Sequence, residues 1–307
     1  MTLQQLKYFI EIVNCGSINK AAESLFISQP SLSNAVKDLE AEIGVELFIR
    51  TPKGITLTMD GVEFLGYARQ VVEQASLLEQ RYMSKKPSRR LCSISTQHYA
   101  FAVNAFVNMV KKTNADEYEF TLRETRTHEI IEDVKTLRSE LGIMYMNPFN
   151  RRVLEKLLRE NGLTFYPLFT AKPHIFVSTL NPLAQQEYVT PEDLEEYPCL
   201  SFDQGENNSF YFSEEILSTS YSKKTIRVSD RATIFNLMIG LNGYTISTGI
   251  VSADLNGDNI KAVPLRVDDT IEVGWIAHNS IQLTKQAMMY LEELKQVVSE
   301  YDVLMGG

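Results

Sequence analysis

The chain has 307 residues, 44% apolar and 22% charged, with 15 Gly and 10 Pro. That is an ordinary globular composition, which excludes disorder, collagen and low complexity and suggests two domains. No apolar run approaches the roughly 18 to 20 residues of a membrane span. The opening MTLQQLKYFIEIV carries Lys7 in an amphipathic pattern without a cleavage site, so a cytosolic protein with no membrane partner is expected. The net charge of −9 is uneven: residues 1–90 hold 11 Lys/Arg against 10 Asp/Glu, and the other 217 hold 19 against 29. Any contact with nucleic acid must therefore rest on where the few basic side chains sit.

Residues 2–43 read as three short helices. Leu3, Leu6, Phe9, Ile10 and Val13 recur at helical spacing and stop at Gly16. Ser17 is an expected N-cap for a second helix with Ile18, Ala21, Ala22 and Leu25 on its apolar face. After Phe26-Ile27 comes a second N-cap, Ser28, with Pro30 in the first turn, where its missing N–H costs nothing. Leu32, Val36, Leu39 and Ile43 form the third helix's buried stripe, which ends at Gly44. Two helices joined by a tight turn match the helix-turn-helix pattern. Gln29, Ser33, Asn34 and Lys37 lie opposite the stripe and can donate hydrogen bonds to base edges. Spacing alone leaves a solvated bundle face equally open.

The next residues favour the DNA reading. Leu47–Arg50 and Ile55–Thr58 are β-prone runs around the turn Thr51-Pro52-Lys53-Gly54. A hairpin directly after such a helix pair is a wing, and Arg50 and Lys53 on it could reach phosphate or the minor groove. Thr58 then caps a predicted helix from Met59 to about Lys86. Phe64, Ala68, Val71, Ala75, Leu78 and Tyr82 are spaced 4-3-4-3-4 along it, the seam of a dimerisation helix. Val62, Leu65, Val72 and Met83 widen its apolar surface. Packing only onto its own chain is the alternative.

Beyond Pro87 strands and helices alternate. Strands are predicted at 91–96, 118–125, 141–146, 163–170, 174–178, 199–202, 225–228, 244–248, 261–264 and 271–277. Helices are predicted at 99–112, 128–138, 232–241 and 281–301. The grammar is that of an α/β region with mostly parallel sheets, and this many strands suits two sheets with a cleft between them. We expect residues 1–58, 59–87 and 88–307 as successive domains, with lobe I at 88–163 and 268–307 and lobe II at 164–267.

No signature for bond-making chemistry emerges. G-x-G-x-x-G, G-x-x-x-x-G-K-[ST] and G-x-S-x-G do not occur. His128-Glu129-Ile130-Ile131-Glu132 has Glu where a zincin needs its second His. Cys15, Cys92 and Cys199 are widely spaced and read as free thiols rather than a disulfide framework. No metal, cofactor or enzymatic activity is expected.

Residues 17–58, SINKAAESLFISQPSLSNAVKDLEAEIGVELFIRTPKGITLT, resemble the DNA-binding end of LysR-type transcriptional regulators. The markers are Ala21-Ala22, Ser28-Gln29-Pro30-Ser31-x-Ser33, Leu39-Glu40, Gly44, Leu47-Phe48-x-Arg50 and Thr56-x-Thr58-x-x-Gly61. Asn181-Pro182-Leu183-Ala184 and Gly240-x-x-Gly243-Tyr244 fit the same family, so the resemblance spans the chain. Within the family the chain looks most like the Gram-positive branch tied to sulfur amino-acid and methionine supply.

The resemblance implies a winged helix-turn-helix, a long linker helix and a two-lobed, periplasmic-binding-protein-like effector domain. It also implies a homodimer or homotetramer on double-stranded promoter DNA, with RNA polymerase as a partner if the protein activates. Ser28, Gln29, Pro30, Ser31, Ser33, Asn34, Lys37, Arg50 and Lys53 become the expected DNA contacts. Many members carry Arg where this chain has Asn34, which replaces a guanine reader with a residue suited to adenine.

Ligands of two-lobed sheets sit outside the carboxyl ends of strands, which nominates Ser95, Thr96, Gln97, Tyr145, Ser201, Phe202, Ser247 and Thr248. By resemblance, Thr96 and Gln97 match positions that hold anions or carboxylates. The helix that follows also offers N–H groups to an anion. The expected effector is a small molecule: an amino acid, its precursor or an oxyanion. A cytosolic binding or enzyme module with a non-functional DNA head is the alternative, and a nucleoid protein without sequence preference is a third reading that the acidic effector region opposes.

Overall fold

The computed structural model describes residues 1–51, 54–83, 90–207, 209–251 and 257–305. It divides into two compact units, Met1–Ser88 and Arg89–Gly307.

The first unit contains α1 (Leu3–Cys15), α2 (Ile18–Ser24), α3 (Gln29–Ile43), β1 (Phe48–Thr51), β2 (Gly54–Leu57) and α4 (Met59–Met83). Thr2 and Gln5 form a reciprocal capping box at the start of α1. Ser28 caps α3 by accepting from the Ser31 N–H at 3.3 Å, whereas Ser17 stands at the N-cap of α2 without a side-chain bond. The core is built around Phe9, whose ring lies 5.0 Å from that of Phe48 on the hairpin and 5.2 Å from that of Phe64 on α4. Leu32, Val36 and Leu39 present the predicted stripe of α3 to this core.

Two side chains then lock hairpin and linker onto the helices. The Glu40 carboxylate accepts from the Leu47 and Phe48 N–H groups at 2.8 and 3.2 Å. Thr58 donates its hydroxyl to the Glu46 carbonyl at 2.7 Å and accepts from the Gly61 N–H at 2.9 Å. A Cβ at Gly61 would lie 2.2 Å from the Leu47 carbonyl oxygen, so only glycine allows α4 to approach so closely.

Along α4, Phe64, Leu65, Ala68 and Val72 pack into this core, while Val71, Leu77 and Leu78 are exposed. The continuous seam expected from spacing is thus divided between the chain's own core and an open face. The helix is described only to Met83, and the predicted residues 84–86 lie outside the described residues.

The second unit carries two five-stranded sheets. Lobe I uses β3 (Arg90–Thr96), α5 (Ala100–Lys112), β4 (Tyr118–Glu124), α6 (Thr127–Lys135), β5 (Leu141–Met146), α7 (Arg151–Glu160) and β6 (Leu163–Ala171). Lobe II uses β7 (His174–Ser178), β8 (Cys199–Phe202), β9 (Thr225–Val228), α8 (Arg231–Leu241), β10 (Tyr244–Ser247) and β11 (Ile260–Pro264). The chain then returns to lobe I as β12 (Ile271–His278) and α9 (Lys285–Met305). Sheet orders are β4-β3-β5-β12-β6 and β11-β7-β10-β8-β9.

Three expectations are corrected here. β6 pairs with β12 in the first sheet, so lobe I extends beyond residue 163 and the crossing falls near 172–173. The sheets are mixed rather than mostly parallel, because β12 runs antiparallel to β5 and β6, and β7 antiparallel to β10 and β11. A chain that crosses between lobes and back must bring its return strand in the opposite direction. Helix α7, with Leu154 and Leu158 buried, was not anticipated. One apolar cluster joins both lobes, from Ile94, Phe101 and Tyr290 to Ile175, Val177 and Ile246. Among the described residues no helix is long and apolar enough to cross a membrane, and no cluster of His, Cys, Asp or Glu could hold a metal ion.

Candidate functional site

The first candidate is the outer face of α3. Its buried stripe and the Glu40 clamp fix the helix, leaving Gln29, Pro30, Ser31, Asn34 and Lys37 exposed together with Ser28. Ser33 departs from expectation: at 8% exposure it turns toward the core beside Leu32 and Val36. One residue after Leu32, it sits on the border of the apolar stripe and presents little surface outward. The Arg50 side chain and Lys53 lie outside the described residues. Phe26, in the turn before α3, is 96% exposed with φ +54°, and spacing arguments gave no reason to single it out.

The second candidate is the cleft between the lobes. Ser95, Thr96, Gln97, Tyr145 and Thr248 are all buried and engaged within the fold, and none of them borders the small void found between the lobes. Ser95 donates to Asp133 at 2.7 Å, and the Thr96 hydroxyl donates to the Gln97 carbonyl at 2.8 Å. Gln97 is an internal hub: its amide donates to Thr127 at 2.6 Å, and its oxygen accepts from Tyr145 N–H at 2.9 Å and Tyr99 O–H at 3.1 Å. The Thr248 hydroxyl faces the Ile250 N–H at 3.4 Å. Phe202 and Ser247 do border a void of about 30 Å³ between the lobes. Ser201 instead borders a separate lobe II cavity of about 490 Å³.

Residues from remote parts of the chain complete the wall of the smaller void. His98 stacks on Phe202 with ring centroids 3.9 Å apart. Its Nδ1 lies 2.9 Å from Glu214 Oε2, and its backbone N–H donates to the same oxygen at 3.0 Å. Gln204 Nε2 donates to the other Glu214 oxygen at 3.1 Å. The anion position expected at the start of α5 is therefore filled by the chain's own carboxylate. Burial works against charging His98, but the hydrogen bond and charge of Glu214, aided by Glu124, raise its pKa overall.

Beside it, Arg231 at the start of α8 faces Glu124 at the end of β4, Nε to Oε1 3.3 Å. Burial pushes the Glu124 carboxyl up. Glu215 is pushed up to about 8 by burial and then by the neighbouring charge of Glu214. Further bonds tie the lobes: Arg126 to Asp203 at 2.7 Å, and the Thr127 hydroxyl to the Phe212 carbonyl at 2.8 Å. This arrangement holds opposite charges in a small, mostly apolar chamber. At the separate lobe II cavity, burial raises the pKa of the Cys199 thiol, which favours its neutral form.

Residues 3–62 match the bacterial regulatory helix-turn-helix protein model of the lysR family, and residues 112–298 match the LysR substrate binding domain. The "Uncharacterized HTH-type transcriptional regulator YvbU" of Bacillus subtilis (strain 168) is 25% identical over 93% of this chain and 98% of its own. The nitrogen assimilation regulatory protein nac of Klebsiella aerogenes is 46% identical, over 24% of each chain. Among solved structures, full-length CbnR complexed with its target DNA aligns with TM-score 0.54 at 19% identity, over 97% of this chain and 100% of that one. A Corynebacterium glutamicum OxyR C206 mutant aligns with TM-score 0.52 at 19% identity, over 99% and 93%; both share the fold. With its two family domains in this order and the second covering more than half its length, the chain belongs to the LysR family of transcriptional regulators.

Proposed function

We propose that this regulator reads a promoter duplex with α3 and that a small molecule held between the two lobes alters that binding. The observation that carries the first half is the exposed row Gln29, Asn34 and Lys37 on a helix immobilised by its opposite face. Asn34 suits adenine, through paired donor and acceptor contacts in the major groove, and Lys37 suits phosphate. Gln29, Ser28, Pro30 and Ser31 complete the surface offered to DNA, with Arg50 and Lys53 assigned to the wing. The exposed Val71, Leu77 and Leu78 on α4 support dimerisation through that helix, and pairing of dimers gives the tetramer we favour. The protein acts in the cytoplasm without catalysis, and it contacts RNA polymerase where it activates.

Fluorescence anisotropy with the duplex upstream of its own gene, against a scrambled duplex, tests the reading. Asn34→Ala is expected to lower the ratio of specific to non-specific affinity by about 1–3 kcal/mol. Lys37→Ala is expected to weaken both duplexes and flatten the log K against log salt slope by about 0.9. Equal loss on both duplexes for Asn34→Ala would remove that residue from base reading.

A further inference from the structure

Among the described residues, three buried side-chain polar atoms lack a hydrogen-bond partner: Glu124 Oε1, Arg231 Nη1 and Thr245 Oγ1. Arg231 and Thr245 both line the interlobe void, and Glu124 is the carboxylate facing Arg231. Glu124 Oε1 meets Arg231 Nε as an ion pair at 3.3 Å, so the donor Arg231 Nη1 and the Thr245 hydroxyl are the two atoms left unmade on the wall of the chamber. Buried polar groups are ordinarily satisfied, and exceptions call for a missing partner.

The charges restrict what that partner is. A simple oxyanion would find its place at the start of α5 already held by Glu214, with Glu124 close by. A plain amine would leave Arg231 Nη1 without an acceptor. A molecule that carries a carboxylate and an ammonium on one carbon answers the two orphan atoms and the Glu214 carboxylate together. The remaining wall, including Phe176, Ile234, Phe235 and Ile250, is apolar.

Resting on the effector reading above, we propose that the cleft takes an α-amino acid with an apolar side chain. Its carboxylate meets Arg231 Nη1 and the Thr245 hydroxyl. Its ammonium takes over Glu214 from the His98 ring. A void of about 30 Å³ holds about one water, so the ligand enters only as His98 leaves Phe202 and Glu214. His98 is the internal stand-in for the ligand's ammonium.

The test is calorimetric titration of the full-length protein with L-valine, L-leucine, L-methionine and L-phenylalanine, each beside its decarboxylated amine and its 2-oxo acid, and with sulfate. At least one amino acid is expected to bind, and its amine and oxo acid at least tenfold more weakly. Arg231→Gln is expected to weaken the amino acid at least tenfold, and His98→Ala to tighten it by removing the competitor. The matched ligands need no variant, so the proposal stays testable if a substitution misfolds. It is overturned if none of the four amino acids binds, if an oxo acid or sulfate binds as tightly, or if Arg231→Gln leaves affinity unchanged. An oxo acid that binds and alters duplex affinity would overturn the amino-acid assignment while supporting the effector reading. If no compound alters duplex affinity, the effector reading fails as well.

Discussion

Glu215 makes stability depend on pH in a direction that can be worked out. Its carboxyl is pushed up from an ordinary 4.5 to about 8, mainly by burial, and the Phe202 N–H that it accepts at 2.9 Å only partly offsets this. Between those values the unfolded chain releases a proton that the folded chain retains. The folded state then binds more protons, and stability falls as pH rises, by about 1.4 kcal/mol per unit. The loss begins near pH 4.5, reaches about 3 kcal/mol by pH 7 and levels off above pH 8 at roughly 5 kcal/mol. Glu215→Gln keeps the acceptor for Phe202 and removes the ionisation, so its advantage over the parent should grow steadily across that window. Urea unfolding of the full chain at pH 5, 6, 7 and 8 reads this directly. His98, whose raised pKa also makes stability fall as pH climbs past its folded value, is present in both proteins. The difference between them therefore isolates Glu215. A constant difference from pH 5 to pH 8, or a variant weaker at pH 8, would refute the assignment of a neutral buried acid.

Two further substitutions test the reading head. Gly61→Ala forces a Cβ to within 2.2 Å of the Leu47 carbonyl oxygen; despite alanine's helix preference, a net loss of about 1–3 kcal/mol is expected from overpacking against backbone, read as a lower midpoint for residues 1–88 in the full chain. An unchanged midpoint would mean that α4 and the hairpin separate freely. Phe26→Asn places a residue tolerant of positive φ where an exposed phenylalanine now holds φ +54°, and should stabilise by about 1 kcal/mol. A lower melting temperature would show that the ring makes a stabilising contact despite its exposure.

The head was legible because its signals are local. Apolar spacing placed Leu32, Val36 and Leu39 inward, and Ser28 caps where a serine before a helix should. The family markers acquire physical reasons: Glu40 holds the first hairpin strand, Thr58 caps α4, and Gly61 gives it room. Ser33 is more buried than its neighbours on the expected face because a helical wheel has a border, and one residue of rotation decides which side of it a small polar group takes. Helix α7 passed unnoticed although Leu154 and Leu158 are one turn apart, because the basic and acidic residues around them mask the stripe.

The cleft was less legible for a different reason. Topology nominates strand ends, but a strand end supplies backbone direction rather than side-chain direction. At Ser95, Thr96 and Gln97 the side chains serve the interior, where Gln97 alone joins Thr127, Tyr99 and Tyr145. The charged groups at the chamber come from separate segments: Glu214 from a loop after β8 and Arg231 from α8, with Glu124 of β4 facing Arg231 from behind. No spacing rule relates residues 107 positions apart, as Glu124 and Arg231 are. Opposite charges that meet only after both sheets have formed are invisible to periodicity, yet the amino-acid proposal rests on them. His98 lies against Glu214, so under the amino-acid proposal a ligand ammonium competes with a residue that spacing gives no cause to notice.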